Sequence, residues 1–191
     1  MTKTFVKFLL LASLCFFSIT SIFAAATAWK IVPADSKLSF TGIQNGTNAT
    51  GEFKKFTGDI NFDPNQLNES HINIVVDMNS LSASYQDMAS TLMTSDWFNV
   101  KVFPQAIFKA TSFTKTGNNT YQANGTLTIR DKSAPVTLSF TLNQFTPDKA
   151  LVTGSTIIKR TVFGVGQGDW ASTDNVKDDV TVNFTISAVK K

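Results

Sequence analysis

From Trp29 to the C-terminus, apolar and polar residues alternate with a period of two along most of the chain. The run Val180, Thr181, Val182, Asn183, Phe184, Thr185, Ile186, Ser187, Ala188 keeps that period without a fault. Tyr121, Ala123, Gly125, Leu127 and Ile129 share one face against Gln122, Asn124, Thr126 and Thr128. Val136, Leu138, Phe140 and Leu142 do the same against Thr137, Ser139 and Thr141. Such alternation makes a strand with one dry and one wet face. It predicts strands over residues 37–43, 51–62, 71–78, 106–114, 120–129, 134–143, 150–159 and 180–189. Turn signals stand between them, among them Asn45-Gly46, Asp63-Pro64-Asn65, Gly117-Asn118-Asn119 and Thr146-Pro147-Asp148. The class is all-β, a barrel or a sandwich. Strands of nine or so residues reach roughly 30 Å, and that length favours a deep barrel.

One stretch leaves the period. Residues 84–93 place Tyr85, Met88, Leu92 and Ala89 at helical spacing, which predicts a short amphipathic helix with Ser82 or Ser84 as its N-cap. Its apolar stripe either packs against a barrel mouth or, through Met88 and Leu92, floors a cavity. No Pro/Gly/Ser linker, long-period repeat or low-complexity tract interrupts residues 29–191, so one domain is the simplest organisation.

The N-terminus changes the picture of charge and compartment. Lys3 and Lys7 precede an apolar run from Phe8 to Phe23, followed by the small residues Ala24, Ala25, Ala26, Thr27 and Ala28. Residues 1–28 read as a secretory signal peptide, with cleavage expected after Ala28 or Ala25. Cys15, the sole cysteine, lies inside that run with Leu14 before it, which disfavours acylation. The exported chain then has no thiol for a disulfide, a metal site or a nucleophile. Removing Lys3 and Lys7 leaves 15 basic against 14 acidic residues, a net charge of +1. A surface so nearly neutral gives no electrostatic footprint for nucleic acid. Lys54-Lys55 and Lys190-Lys191 read as solvated charges. Six Asn-x-Ser/Thr triplets, Asn45-Gly46-Thr47 among them, reflect an Asn/Thr-rich composition.

Catalytic chemistry finds little support. His71, the only histidine, falls opposite Ile72, Ile74 and Val76 in strand phase and so faces solvent. Asp178-Asp179 reads as a turn rather than an acid/base pair. Gly164, Gly166 and Gly168 suggest a nucleotide loop only superficially, because Asp169 stands where a third glycine is needed and no strong helix follows. Arg160 is placed either for an anionic or carbonyl head group or for a structural ion pair. Alternation alone also permits the inverse barrel, apolar outside. Lysines at strand positions, few aromatics for girdles and the ending Val189-Lys190-Lys191 argue against it.

A series of short motifs, in order and spacing, resembles the YceI family of secreted bacterial proteins from about Trp29 to Val189. They are Asp35-Ser36-Lys37-Leu38-Ser39-Phe40, Gly51-Glu52-Phe53, Gly58-Asp59-Ile60-Asn61-Phe62-Asp63-Pro64, and Ser95-Asp96-Trp97-Phe98 with Phe103-Pro104. Gly125-Thr126-Leu127-Thr128-Ile129-Arg130, Pro135-Val136-Thr137-Leu138, and Arg160 with Phe163-Gly164-Val165-Gly166 complete the series. The resemblance implies an antiparallel eight-stranded lipocalin-like barrel, exported to the periplasm. Its apolar tunnel would hold an isoprenoid (a quinone or polyprenyl lipid) or another long-chain amphiphile, with no catalysis and no cofactor. Its lumen would be lined by Phe40, Phe53, Ile72, Ile74, Val76, Phe108, Leu127, Ile129, Leu138, Phe140 and Phe184, with Met88 and Leu92. Trp97, Phe98, Phe163 and Trp170 fall in irregular segments and would form the mouth with Arg160, unless they plug one barrel end as core. Alternation would look the same for a packed core, so hollow and filled barrels both remain open. Many relatives carry His where this chain has Asp35, and the helix motif is weaker here, with Met93 and Thr94 before Ser95. The Asp-Ser form and Gly164-Val165-Gly166-Gln167-Gly168-Asp169-Trp170 are similar to the branch associated with membrane b-type cytochromes. Such a cytochrome is the partner implied, and a non-catalytic stress-response or interaction module is the alternative function.

Overall fold

The computed structural model describes residues 26–191, so the expected signal segment up to residue 25, Cys15 included, lies outside the described residues. The chain runs β1 (Ala28–Ile31), β2 (Lys37–Gln44), β3 (Thr47–Phe53), β4 (Phe56–Asn61), β5 (His71–Asp77), β6 (Leu81–Ala83) and α1 (Gln86–Leu92). It continues through β7 (Gln105–Lys115), β8 (Thr120–Ile129), β9 (Lys132–Phe145), β10 (Lys149–Lys159) and β11 (Asp179–Lys190). Three pairs of segments are single strands bent in the middle: β1 with β2, β3 with β4, and β5 with β6. Counted so, eight antiparallel strands follow one another around the wall, and β11 closes the circle by pairing with β1 below and β2 above. The all-β, eight-stranded barrel with one short helix is therefore what the chain adopts.

Each bend has a local cause. Pro33 opens a 3-10 turn over Pro33–Asp35, which interrupts the ladder to β11. Ser36 replaces the missing rungs, its Oγ donating to Val32 O at 2.8 Å and accepting from Ser187 N at 3.0 Å. The strand expected over 51–62 is broken at Lys54-Lys55, two successive exposed lysines that cannot both alternate onto a dry face. Its neighbour bends at the same level through the turn Met78–Ser80, and the backbone stays paired across the break, Lys54 N to Ser80 O at 3.1 Å and Asp77 N to Lys55 O at 3.0 Å. Above this hinge β6 pairs with β3 alone and no ladder joins it to β7. The chain between them, α1 included, occupies that interval. At four and three residues, β1 and β6 are too short to show a period in the sequence.

A further expectation, the N-cap, is corrected. The helix begins after Tyr85, an extended residue that makes no side-chain cap. Ser84 is already used across the sheet, its Oγ donating to Thr50 O at 3.0 Å and lying 2.7 Å from Thr50 Oγ1, while Ser82 belongs to β6. The inverse barrel is excluded, since Val136, Leu138 and Phe140 face inward while Pro135, Thr137 and Ser139 are exposed outside.

Bulges reset the phase twice. Between Ala110 and Ser112 of β7 one residue is inserted, so Phe113 joins Phe108 on the inner face although strict alternation would put it outside. The register shifts again between β9 and β10 near Leu151, which lets Phe145 reach Trp29, with ring centroids 5.4 Å apart.

Aromatic residues seal the lower end, where β7 turns into β8 and the chain terminates. Trp29 is 2% exposed and donates from Nε1 to Phe62 O at 2.9 Å. Phe62 in turn meets Phe113, Tyr121 and Phe140 at centroid distances of 5.6, 5.6 and 5.7 Å. At the upper end Met78, Leu81, Leu92, Trp97, Val100, Phe163 and Val165 form a second buried cluster.

Candidate functional site

Between the two clusters the barrel is hollow. A single cavity of ≈ 490 Å³ runs through it, walled almost entirely by apolar side chains. Inward-facing Phe40, Phe53, Ile72, Ile74, Val76, Leu127, Leu138, Phe140 and Phe184 are only half-buried, though they point away from bulk solvent. In a packed core these residues would be closed over by their neighbours. Here they border open space, and the volume falls in the range of small-molecule sites.

All eighteen residues singled out in the sequence border this one cavity. Their places differ from the expected ones at the upper end. Phe163 and Trp97 are 1% and 7% exposed, which makes them part of the plug rather than an open mouth. Trp97 is held from two sides: Arg130 Nη1 donates to Trp97 O at 2.6 Å, and the Arg160 guanidinium lies 5.8 Å from its ring centroid. Trp170 and Phe98 are half-buried beside this plug, Trp170 at 5.4 Å from Trp97 and Phe98 at 6.0 Å from Phe53.

The opening lies elsewhere. The exposed members of the cavity wall are Ile43 (39%), Tyr85 (58%), Asp87 and Lys177. They come from the tip of the β2–β3 hairpin, from the start of α1 and from the segment before β11. That segment is tied to the hairpin by Asn45 N to Asn175 O at 2.7 Å and Lys177 N to Ile43 O at 2.9 Å. Gln44, Ala49, Thr91 and Val176 complete the rim. None of these is among the lumen and mouth residues expected from the sequence. The one signal in the sequence was an apolar residue, Ile43, at a hairpin tip two positions before the Asn45-Gly46 turn, where burial by the hairpin itself is impossible.

Arg160 does neither of the two things expected of it. It is 3% exposed, and among the described residues no carboxylate lies within ion-pair distance. Its five N–H donors all go to backbone carbonyls: Nε to Lys177 at 3.3 Å, Nη1 to Val165 and Gly166 at 3.0 and 3.1 Å, Nη2 to Ser172 and Val176 at 2.8 and 2.9 Å. Five is the whole donor capacity of a guanidinium, so none is left for a head group. Burial pushes its pKa down, and the charge of nearby Asp178 offsets part of that. The glycines of the 164–168 segment serve this arrangement. Gly166 has φ +79° and a Cβ there would collide with Arg160 Nη1, so close backbone approach, not phosphate cradling, explains it.

Asp178 anchors the same corner, accepting from Thr161 N at 3.0 Å and Thr161 Oγ1 at 2.8 Å. Burial pushes its carboxyl up, but the two Thr161 bonds, with Lys159 and Arg160 nearby, outweigh it and hold the pKa below the ordinary 3.8. A depressed carboxylate stabilises the fold above its unfolded pKa and loses that contribution as pH falls through the folded one. Asp178→Asn is therefore expected to cost about 1 kcal/mol at pH 7, the difference between charged and neutral hydrogen bonds. The gap between variant and parent should close below pH 3.8, as read from urea midpoints at neutral and acid pH. A gap that persists unchanged in acid would show that charge is not the cause.

His71 is exposed at the opposite end of β5, with Nε2 2.9 Å from Asn61 Nδ2, and so lies on the outer surface away from the cavity. Asp179 pairs with Lys159 at 2.8 Å. Among the described residues no three His, Cys, Asp or Glu side chains come together as metal ligands, and no helix is long and apolar enough to cross a membrane.

Comparisons with known proteins agree with this geometry. The family model described as a YceI-like domain matches residues 29–188. A UPF0312 protein of Vibrio parahaemolyticus is 30% identical over 88 residues, which is 46% of this chain and 47% of that protein. The chain thus matches about half the length of such curated relatives. Among solved structures, BcnA of Burkholderia cenocepacia is similar with a TM-score of 0.78 at 31% identity, over 82% of this chain and 98% of that one. A polyisoprenoid binding domain from Saccharophagus degradans, implicated in plant cell wall breakdown, has a TM-score of 0.68 at 14% identity, over 86% of this chain and 99% of that one. At that identity the likeness is one of fold.

Proposed function

Because the chain belongs to the YceI-like domain family, we propose that its barrel is a non-catalytic carrier that holds the tail of an isoprenoid, a quinone or polyprenyl lipid, or of another long-chain amphiphile. The observation that carries this reading is the cavity: ≈ 490 Å³ of enclosed apolar space, open to solvent at one polar-edged rim. Burying ten methylenes there contributes on the order of 8 kcal/mol, roughly micromolar binding before ordering costs are subtracted. A tail thus needs no polar partner inside.

The rim then chooses the head group. With Arg160 spent on carbonyls, the charged groups at the opening are one carboxylate, Asp87, and one ammonium, Lys177, beside the amide of Gln44 and the hydroxyls of Tyr85 and Thr91. A neutral hydrogen-bonding head group such as a quinone or an alcohol suits that set better than a diphosphate. The cargo class is also that of the Saccharophagus domain, which shares the fold.

The same reading places the protein in the periplasm, exported by the N-terminal signal. Of the two expected cleavage points, the one after Ala25 keeps Thr27 O as acceptor for Phe62 N at 2.9 Å and Ala28 O for Lys191 N at 3.0 Å. Cleavage after Ala28 would remove both from the closing seam. A membrane b-type cytochrome would be a source or recipient of the cargo.

The test is to purify the exported protein gently, identify bound small molecules by native mass spectrometry and solvent extraction, and then titrate the stripped protein with quinones, polyprenols and fatty alcohols. A stoichiometric amphiphile is the expected result. A protein that carries none and takes up none would overturn the carrier reading in favour of an interaction module.

A further inference from the structure

We propose that the bore of the tunnel is set by inward-facing glycines on which phenylalanine rings lie flat, and that these glycines therefore decide how thick a tail the barrel admits. This rests on the lumen being the binding site. The side chains of an eight-stranded barrel are able to fill its interior completely. Phe40, Phe108 and Phe184 all face inward, and three rings projecting to the axis would plug this one.

They are turned aside. Gly51 stands directly opposite Phe40 on the neighbouring strand, and Gly154 directly opposite Phe184. Gly125 lies diagonally from Phe108, whose own partner is Leu127. A Cβ on Gly51 would collide with Phe40 Cζ and meet Cε1 at 2.7 Å. On Gly154 it would collide with Phe184 Cζ and with the backbone oxygen of Ser139 and meet Cε2 at 2.7 Å, and on Gly125 it would collide with the backbone oxygen of Lys109 and meet Phe108 Cζ at 2.7 Å. Each ring tip thus fills the place of the neighbour's missing side chain and lies along the wall. Aromatic cover of a cross-strand glycine also steadies the strand that carries it. Nearer the rim, Gly42 has nothing closer to its missing Cβ than Val180 Cγ2 at 4.0 Å, which leaves the entrance wide.

An isoprenoid tail carries a methyl branch on every unit and is thicker than a linear acyl chain. A bore cleared by glycine admits the branched chain, and restoring a side chain at those positions selects against it. Gly51 is the cleanest site to test, since the obstacle there is mainly a ring tip, with Ser82 O at 3.0 Å.

The experiment titrates parent, Gly51→Ala, Gly51→Ala/Phe40→Leu and Gly42→Leu with a polyprenol and with a linear saturated alcohol of equal carbon number, following tryptophan fluorescence. Gly51→Ala should turn the Phe40 ring into the bore and weaken polyprenol binding at least roughly tenfold, with a smaller loss for the linear alcohol. Adding Phe40→Leu should restore it. Gly42→Leu narrows the entrance without displacing a ring and should show the same bias, so the test survives a Gly51 variant that fails to fold. Unchanged polyprenol affinity in Gly42→Leu or in a folded Gly51→Ala overturns the inference, as does a loss that Phe40→Leu leaves in place. A parent protein that binds neither alcohol overturns the carrier reading itself.

Discussion

Leu138→Asp is expected to abolish uptake of long-chain amphiphiles, with affinity falling at least roughly a hundredfold, while the barrel stays folded. Leu138 faces the middle of the lumen from β9, opposite Ala123, and is only half-buried. In the unoccupied protein an aspartate there keeps water around it, so folding is little affected. An entering tail strips that water from a carboxylate with no cation to replace it. Leaving such a charge unpaired in an apolar site costs several kcal/mol, and about 2.7 kcal/mol already corresponds to a hundredfold. The neutral acid escapes most of this penalty, so the loss should ease as pH falls toward the carboxyl pKa. Ser139→Asp puts the same charge on the exposed outer face one residue away and should leave binding as it was. Equal affinity of Leu138→Asp and parent at neutral pH would mean that the tail does not enter the lumen.

Arg160→Ala should produce a large loss of stability, about 4 kcal/mol. The side chain ties five carbonyls of residues 165–177 to the end of β10. Hydrogen bonds to a charged donor contribute about 1.5–3 kcal/mol each in net terms, and water regains part of that for the carbonyls near the surface. The loss includes the face of Trp97 and the closing of the upper plug around Phe163. For a chain of this size each kcal/mol shifts the thermal midpoint by about 2–4 °C, so a fall of roughly 8–16 °C in a circular-dichroism melt is expected. Arg160→Lys should recover only a minor part, because three donors on one nitrogen cannot reach carbonyls arranged around a planar fork. A change under 1 kcal/mol for Arg160→Ala would show that the segment holds itself in place without it.

The strands were legible because their cause is local. A half-buried strand must alternate, and seven of the eight expected strands each correspond to one strand of the barrel. The eighth, over 51–62, failed at Lys54-Lys55, where bending depends on the neighbouring strand bending too. Strict alternation misplaces Phe113 for a similar reason: nothing in its own neighbourhood announces an inserted residue. The wall of the site was legible on the same principle, since inward positions of a barrel and lining positions of its cavity are one set. The rim was not. Tyr85, Asp87, Thr91 and Lys177 come from segments brought together only at the end of the barrel where β6 has no ladder to β7, and polar residues outside the strands carry no mark of what they surround.

Two residue types show where local pattern stops. Arg160 read as a head-group or ion-pair residue because its actual partners are backbone carbonyls, which every residue has and no sequence distinguishes. Gly125 read only as one more position on the dry face of its strand, although a glycine inside a strand often marks a close approach. Alternation by itself determined an all-β chain with one apolar face, and the ordered motifs added the family, hence the eight-stranded barrel. Whether that barrel would be filled or hollow, and at which end it would open, only the tertiary structure decided. The periodicity counts apolar positions, whereas a bore depends on which ring of one strand meets which glycine of the next, and register across strands exists only once the barrel has closed.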